Sequence, residues 1–278
     1  MKRLVLTLAV VFATFAANAG TVTKHFDNLK KFTGIQICNA FEATLVQSDE
    51  YTATVTIDTE FEEALDVSVV GTVLYVRLKD NDPRANIRKL SRKALKVTIT
   101  APALNQIYLT GTATLTSRDV WVCPMEKFTL DVSGAAKASK LHIEGGELDA
   151  KVSGASNAGI TGDFASIEVE TSGTSVMFLV GEYEDVEVKT NGTSKVSVIG
   201  HAVSLSSESH GSSFLDAIEL KVKDAEIECS GASKATIDVS DNLEVELKGA
   251  STCNYRSDNP SLYVSPEVSR ASSFKKIK

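Results

Sequence analysis

Between Phe128 and Leu247 apolar or small residues alternate with polar ones, and the alternation restarts in the same phase about every 19 residues. Each restart carries a glycine in a small, hydroxyl-rich setting: Gly111, Gly134, Gly154, Gly173, Gly192, Gly211, Gly231 and Gly249, at intervals of 23, 20, 19, 19, 19, 20 and 18. Two places before the glycine stand Leu109, Val132, Val152, Thr171, Thr190, Ser209, Cys229 and Leu247, and four before it Ile107, Leu130, Ala150, Val169, Val188, Ser207, Ile227 and Val245. The places between are charged, as in Asp131, Lys151, Glu170, Lys189, Glu208, Glu228 and Glu246. Period two with one buried face predicts a strand. A second strand follows the glycine, with pairs such as Met177 and Leu179 or Val196 and Val198 inward.

Each unit therefore reads as strand, glycine turn, strand and a second turn often marked by Gly or Asp (Gly162, Gly181, Gly200, Asp241). Units this short bury no core alone, so they must stack, each strand pairing with its counterpart one turn on. The predicted fold is all-β: a parallel β-helix of about eight coils, right-handed by the general rule for parallel crossovers. In the unit after Gly134, Lys140 falls on an inward place, which predicts a local insertion moving Leu141 and Ile143 into that role.

From Phe32 to Thr110 the strand pattern persists with looser spacing, and Gly71 precedes Gly111 by about two periods. Irregular first coils or a small β layer capping the rod both fit, and some cap is required because open sheet edges invite association. At the other end "VSRASSFKKIK" puts Ala271 in the glycine place and Ser273 in the serine place of a last, degenerate coil. The expected organisation is a leader over 1–19, a lead over 20–31, an N-terminal β part over 32–110, regular coils over 111–265 and a cap or tail over 266–278.

Two places after the glycine stand Ser156, Ser175, Ser194, Ser213, Ser233 and Ser251, with Ala136 in the preceding unit. "SGAS" invites comparison with a nucleophilic serine, yet a nucleophile needs one serine beside one base. Six equivalent serines following Gly154, Gly173, Gly192, Gly211, Gly231 and Gly249, with Ala136 after Gly134, read instead as a turn ladder, the glycine supplying a positive φ. No G-x-S-x-G is present, and His25, His142, His201 and His210 have no recognisable spacing to serine or carboxylate. Asn191-Gly192-Thr193 matches a glycosylation acceptor but is one more copy of the turn.

The chain's first residues, "MKRLVLTLAVVFATFAANAG", combine Lys2 and Arg3, an apolar run and small residues at Ala17 and Ala19. They predict a secretory leader cut after Ala19, and no other stretch is long and apolar enough for a membrane span. The protein is thus expected outside the cytoplasm, in the periplasm or at the cell surface. Its net charge is −7, and −9 without Lys2 and Arg3 (27 basic against 36 acidic residues), which argues against a nucleic-acid partner. Cys38, Cys123, Cys229 and Cys253 allow two disulfides in three connectivities, or act as small buried apolar residues. They lack zinc spacing, and no cofactor motif is present.

Two charged features stand out as contacts. Arg84, Arg88, Lys89, Arg92 and Lys93 lie together in "KDNDPRANIRKLSRK", either a solvated loop or a contact for anionic glycan or lipid headgroups. The outward columns Glu208, Glu228, Glu246 and Glu226, Glu244 stack like charges, a solvated face or one for divalent cations or a basic partner.

The opening "FTGIQICNAFEATLVQ" followed by "YTATVTID", the segment "LKVTITAPALNQIYLTGTATL" and the recurring "SGAS" phrases resemble the head GIN domain family of adhesins, exported β-solenoid proteins frequent in Bacteroidetes. The likeness covers residues 31–265. It implies a β-helix at the cell envelope with an adhesive role toward an envelope or host glycan or protein, and it carries over no catalytic residue. The rival reading is a carbohydrate-active β-helix enzyme, a polysaccharide lyase or hydrolase, which requires acids converging on one face.

Overall fold

The computed structural model describes residues 11–12, 20–79 and 93–278. The leader expected over 1–19 therefore lies, apart from the backbone of Val11–Phe12, outside the described residues.

The chain winds into a β-solenoid of about nine turns. Strands Val176–Thr190, Lys195–Ser209, Phe214–Cys229 and Lys234–Leu247 pair in parallel with one another, residue for residue over most of their lengths. All the expected inward places are buried, from Phe128, Leu130 and Val132 to Leu243, Val245 and Leu247. One continuous core results, running from Phe32 to Cys253.

The glycine corner is the sharp one. Every glycine from Gly111 to Gly249 in the series has φ between 75° and 79°, and from Gly111 to Gly231 its carbonyl accepts a hydrogen bond from the backbone N–H that follows the corner residue of the next coil. Ala155 N donates to Gly134 O at 2.7 Å, and Thr193 N to Gly173 O at 2.8 Å. At the second bend Gly181 pairs with Gly200 and Glu182 with His201, and pairing resumes at Asp185 with Ser204. The expected second turn is found at Gly162, between strands Asn157–Thr161 and Phe164–Thr171, and becomes a bend within one long strand at Gly181 and Gly200; the three glycines stack with no room for a Cβ.

Lys140 behaves as its inward parity demanded. It adopts φ 57° and is exposed, and the register shifts between Ala138 and Leu141 so that Leu141 pairs with Ile160.

Both readings of the N-terminal part are realised. Strands Gly34–Ile37 and Glu42–Gln47 form a first coil, in parallel register with Gln106–Leu109 and Thr114–Ser117. Between them the corner is Asn39, at φ 62°, whose carbonyl receives Thr112 N. Gly71 is not part of the ladder: it turns the antiparallel hairpin Leu65–Val70/Val73–Leu78. Asparagine can take the left-handed place because its short polar side chain tolerates it.

Beyond this coil the chain adds a cap. Val73–Leu78 extends one sheet alongside Gly34–Ile37. Leu95–Ala101, Thr52–Asp58 and Thr21–Phe26 extend the other, the last two antiparallel. Hydroxyl pairs across those antiparallel strands, Thr52 with Thr100 (2.7 Å) and Thr23 with Thr56 (2.9 Å), stitch its outer surface.

At the far end the register is one residue from expectation. Ser269 N donates to Leu247 O and Ser273 N to Ser251 O, so Arg270 occupies the glycine place and Ser272 the serine place, not Ala271 and Ser273. Arg270 lacks the positive φ of the other corners, consistent with a side chain that disfavours it. The edge itself is blunted. By the parity of the ladder Pro266 turns its backbone away from the preceding coil, and a proline there offers no donor to an incoming strand.

Inside the middle coils the core turns polar. Thr171, Thr190 and Ser209 replace aliphatic residues and face the buried serines across the corner. Thr171 Oγ1 donates to Ser194 Oγ at 3.0 Å, and Thr190 Oγ1 lies 2.9 Å from Ser209 Oγ and 2.8 Å from Ser213 Oγ. Ser156 Oγ is buried without a partner. Thr190→Val should therefore cost about 1–3 kcal/mol, because two buried hydroxyls lose their partner, whereas Ser156→Ala should be neutral or stabilising. Urea unfolding of the two variants checks this, and equal losses would mean that the hydroxyl ladder contributes nothing specific.

Candidate functional site

The serines of the repeat are structural in placement. Ser156, Ser175, Ser194, Ser213, Ser233 and Ser251 are all buried, and all but Ser156 hydrogen-bond within the corner stack. Ser175 Oγ shares its one proton between Val152 O and Ser172 O, Ser194 Oγ donates to Asn191 O, and Ser233 Oγ to Ser230 O. The column begins with Phe41, Ala113 and Ala136, which are buried at the same place without a hydroxyl. His210 Nδ1 meets Ser230 Oγ at 2.7 Å on the exposed corner, one place before the glycine. His201 pairs with Glu182 at 2.9 Å, and His142 lies 3.5 Å from Glu144.

Of the basic cluster, Arg84, Arg88, Lys89 and Arg92 lie outside the described residues. Lys93 bridges Glu60 at 2.7 Å and Asp58 at 3.2 Å. Hydrogen bonding to those carboxylates, Glu60 first, holds its ammonium above the ordinary lysine range. Lys93 thus ties the cap to the short 3-10 turn Thr59–Ala64, whose entry Asp58 caps by accepting Glu60 N.

The four thiols are unpaired; Cys123, Cys229 and Cys253 are buried and Cys38 half-buried. Burial pushes the Cys229 thiol up to about 11, and it pushes Cys253 up as well. They serve as core atoms, the second of the two roles open to them.

Two broad outer faces remain, one before the corner and one after it. On the first, strand positions three before the corner read Asp131, Lys151, Glu170, Lys189 and Glu208, then Glu228, Glu246 and Glu267. Signs alternate in the first half, where Lys151 meets Glu170 at 3.5 Å and Lys189 meets Glu187 at 2.5 Å. A shallow groove of about 510 Å³ runs along these residues. In the second half carboxylates stack with few counter-ions: Glu226 pairs with Glu244, Glu228 with Glu246, and Lys248 pairs with Glu246. Among the described residues no group of three or more His, Cys, Asp or Glu is spaced to hold a metal ion. Adjacent like charges separated by one strand spacing are destabilising, so this stretch works as a solvated, repelling face.

The second face departs from the polar rule. Outward places on three successive coils carry Val176, Phe178 and Val180, then Ile199, then Phe214 and Ile218. Phe178 is 42 % exposed and Val176 37 %, in places where neighbouring coils have Asn157, Gly159, Ser197 and Thr236. Register puts Lys195 and Lys234 on either side of Phe214. Their ammonium groups sit over its ring, 5.1 and 5.2 Å from the centroid, within cation–π range. Lys195 also pairs with Asp216 at 3.2 Å. The sequence reading misses this strip as a unit. Its signal is present, since Val176, Phe178 and Phe214 are apolar at outward parity, but the coils that bring them together must be registered before the patch is visible.

A third surface lies at the second bend, a groove of about 620 Å³ lined by Glu182, Tyr183, His201, Val203, Lys221 and Lys223 among others. Tyr183 is buried there with its hydroxyl unpartnered, and burial raises its pKa.

With this geometry in hand, the comparisons are consistent with one another. A family model described as "Putative auto-transporter adhesin, head GIN domain" matches residues 31–178 and 163–258. No curated protein matches the chain. Among solved structures, a "putative adhesin" from Parabacteroides distasonis ATCC 8503 superposes with a TM-score of 0.67 at 17 % identity, covering 92 % of this chain and 97 % of that one. A "putative adhesin" from Parabacteroides merdae ATCC 43184 gives 0.64 at 16 %, covering 94 % and 98 %. A "putative lipid binding protein" from Parabacteroides distasonis ATCC 8503 gives 0.62 at 15 %, covering 94 % and 98 %. At these identities the likeness is one of fold. Among the described residues no helix is long and apolar enough to cross a membrane.

Proposed function

Because the chain belongs to the head GIN domain family of auto-transporter adhesins, we propose that it is an exported, non-catalytic binding module of the cell envelope whose outer columns contact a glycan or protein. The observation that carries this reading is where variation falls. Inward columns and corners repeat from coil to coil, while the outward places differ, and a non-polar outward strip lies on the regular parallel sheet. Rigid sheet positions hold ligand-contacting side chains with little entropic cost on binding.

The rival enzyme reading needs carboxylates converging at a defined separation. Here they are spread in columns, one per coil spacing, and the repeated serines are buried. Export rests on the leader over 1–19, and the place of action, periplasm or surface, follows from it.

A glycan array tests the proposal. The purified protein is expected to be retained by a subset of bacterial or host glycans, and retention by none of them, with no envelope protein captured either, would overturn it.

A further inference from the structure

We infer that the strip formed by Val176, Phe178, Val180, Ile199 and Phe214, with Lys195 and Lys234, is a binding surface for an acidic, uronate-bearing polysaccharide. The inference rests on the binding-module reading above and names its surface and ligand class.

A pyranose ring presents an apolar face of C–H groups and a rim of hydroxyls, and a uronic acid adds a carboxylate. The strip supplies a partner for each. Phe178 and Phe214 offer ring surface two coils apart, about 10 Å along the rod at the strand spacing. Asn157, Ser197, Thr236 and Thr252 occupy the places around them and donate or accept hydrogen bonds. Lys195 and Lys234 bracket Phe214. Lys234 makes no ion pair with a described residue, so its ammonium is available to a ligand carboxylate.

Charge on the two faces is also complementary to a polyanion. The face before the corner carries Glu208, Glu226, Glu228, Glu244, Glu246 and Glu267, most of them uncompensated. On the face after the corner the carboxylates Asp216 and Asp238 are held by Lys195 and Arg256, leaving Lys137 and Lys234 in one column without an ion-pair partner among the described residues. A polyanion is therefore repelled from one side of the rod and received on the other.

A lipid bilayer fits less well. Insertion of an apolar face reaches several ångströms into the headgroup boundary, whereas these side chains are largely covered by their neighbours, at most 42 % exposed at Phe178. The hydroxyl and amide places interleaved with them have no use there.

Isothermal titration with sodium polygalacturonate, dextran of similar length and anionic phosphatidylglycerol vesicles tests this. The full chain is expected to bind polygalacturonate and to ignore dextran and vesicles. Phe214→Ala and the pair Lys195→Gln/Lys234→Gln should each weaken binding about tenfold, while Lys151→Gln, on the other face, leaves it unchanged; thermal melting verifies that all three remain folded. Unaltered affinity in the Phe214 and lysine variants would overturn the site while leaving a glycan-binding module standing. Equal binding of dextran would overturn the acidic class, and binding of vesicles alone would assign the strip to lipid. A chain that binds none of the three probes yet is retained on the glycan array contradicts this inference but not the proposed function.

Discussion

Gly154→Ala is expected to destabilise the rod by about 3 kcal/mol, whereas Gly71→Ala costs about 1 kcal/mol, although both glycines have positive φ. Gly154 has φ 76°, and a Cβ built on it would stand 2.5 Å from the carbonyl oxygen of Gly134 in the preceding coil. That oxygen is engaged by Ala155 N at 2.7 Å, so it cannot retreat without loosening the inter-coil hydrogen bond. The alanine therefore bears the left-handed penalty of about 1–2 kcal/mol and a backbone displacement on top of it. Gly71 has φ 62° but nothing within 4 Å of a built Cβ, leaving the conformational term alone. Urea denaturation followed by circular dichroism distinguishes them. Equal losses would mean that the corners are held by conformation only and that close stacking of the carbonyl column is not a structural requirement.

Trp121→Ala should cost about 3–5 kcal/mol, the range for removing a large buried aromatic. Trp121 is 2 % exposed and fills the inward place opposite Ile143, just where the first coil departs to build the cap. Its Nε1 donates to Ser117 Oγ at 2.8 Å, and Ser117 is itself buried and donates to Leu45 O. Removing the indole leaves a cavity and an impoverished hydroxyl together. The flanking Val122 is 57 % exposed, and its truncation to alanine should fall within about 0.5 kcal/mol of the parent. Should Trp121→Ala prove as mild as Val122→Ala, the junction between cap and rod would not depend on the packing described here.

The regular coils were legible in the sequence because period-two burial and stacking demand the same thing of every unit: one wrong parity would expose a whole column. Even Lys140 announced its bulge by standing at an inward place. Asn39 was not legible as a corner. It is a single residue without glycine's mark, and the next member of its column, Gly111, follows only after the excursion that builds the cap. Gly71 misled for the complementary reason, since a hairpin and a coil corner ask for the same left-handed backbone and differ only in what stacks beside them. At the far end the reading slipped by one, because Arg270 replaces the glycine and "SRASS" offers two serines to one place; the bond from Ser273 N to Ser251 O decides it. The aromatic and cationic strip depends on registering three coils at once. Phe178 and Phe214 are 36 residues apart in the chain and neighbours only through Ser197 and Lys195.

On the proposed reading the repeated scaffold holds a ligand without transforming it, its serines engaged at the corners and its carboxylates spread in solvated columns. The most direct test incubates a bound polysaccharide with stoichiometric protein and follows the chain length by size-exclusion chromatography with reducing-end and unsaturated-product assays. The account predicts retention of the polysaccharide at unchanged length with no new chain ends. Time-dependent shortening, abolished by altering a carboxylate of the face before the corner, would contradict it.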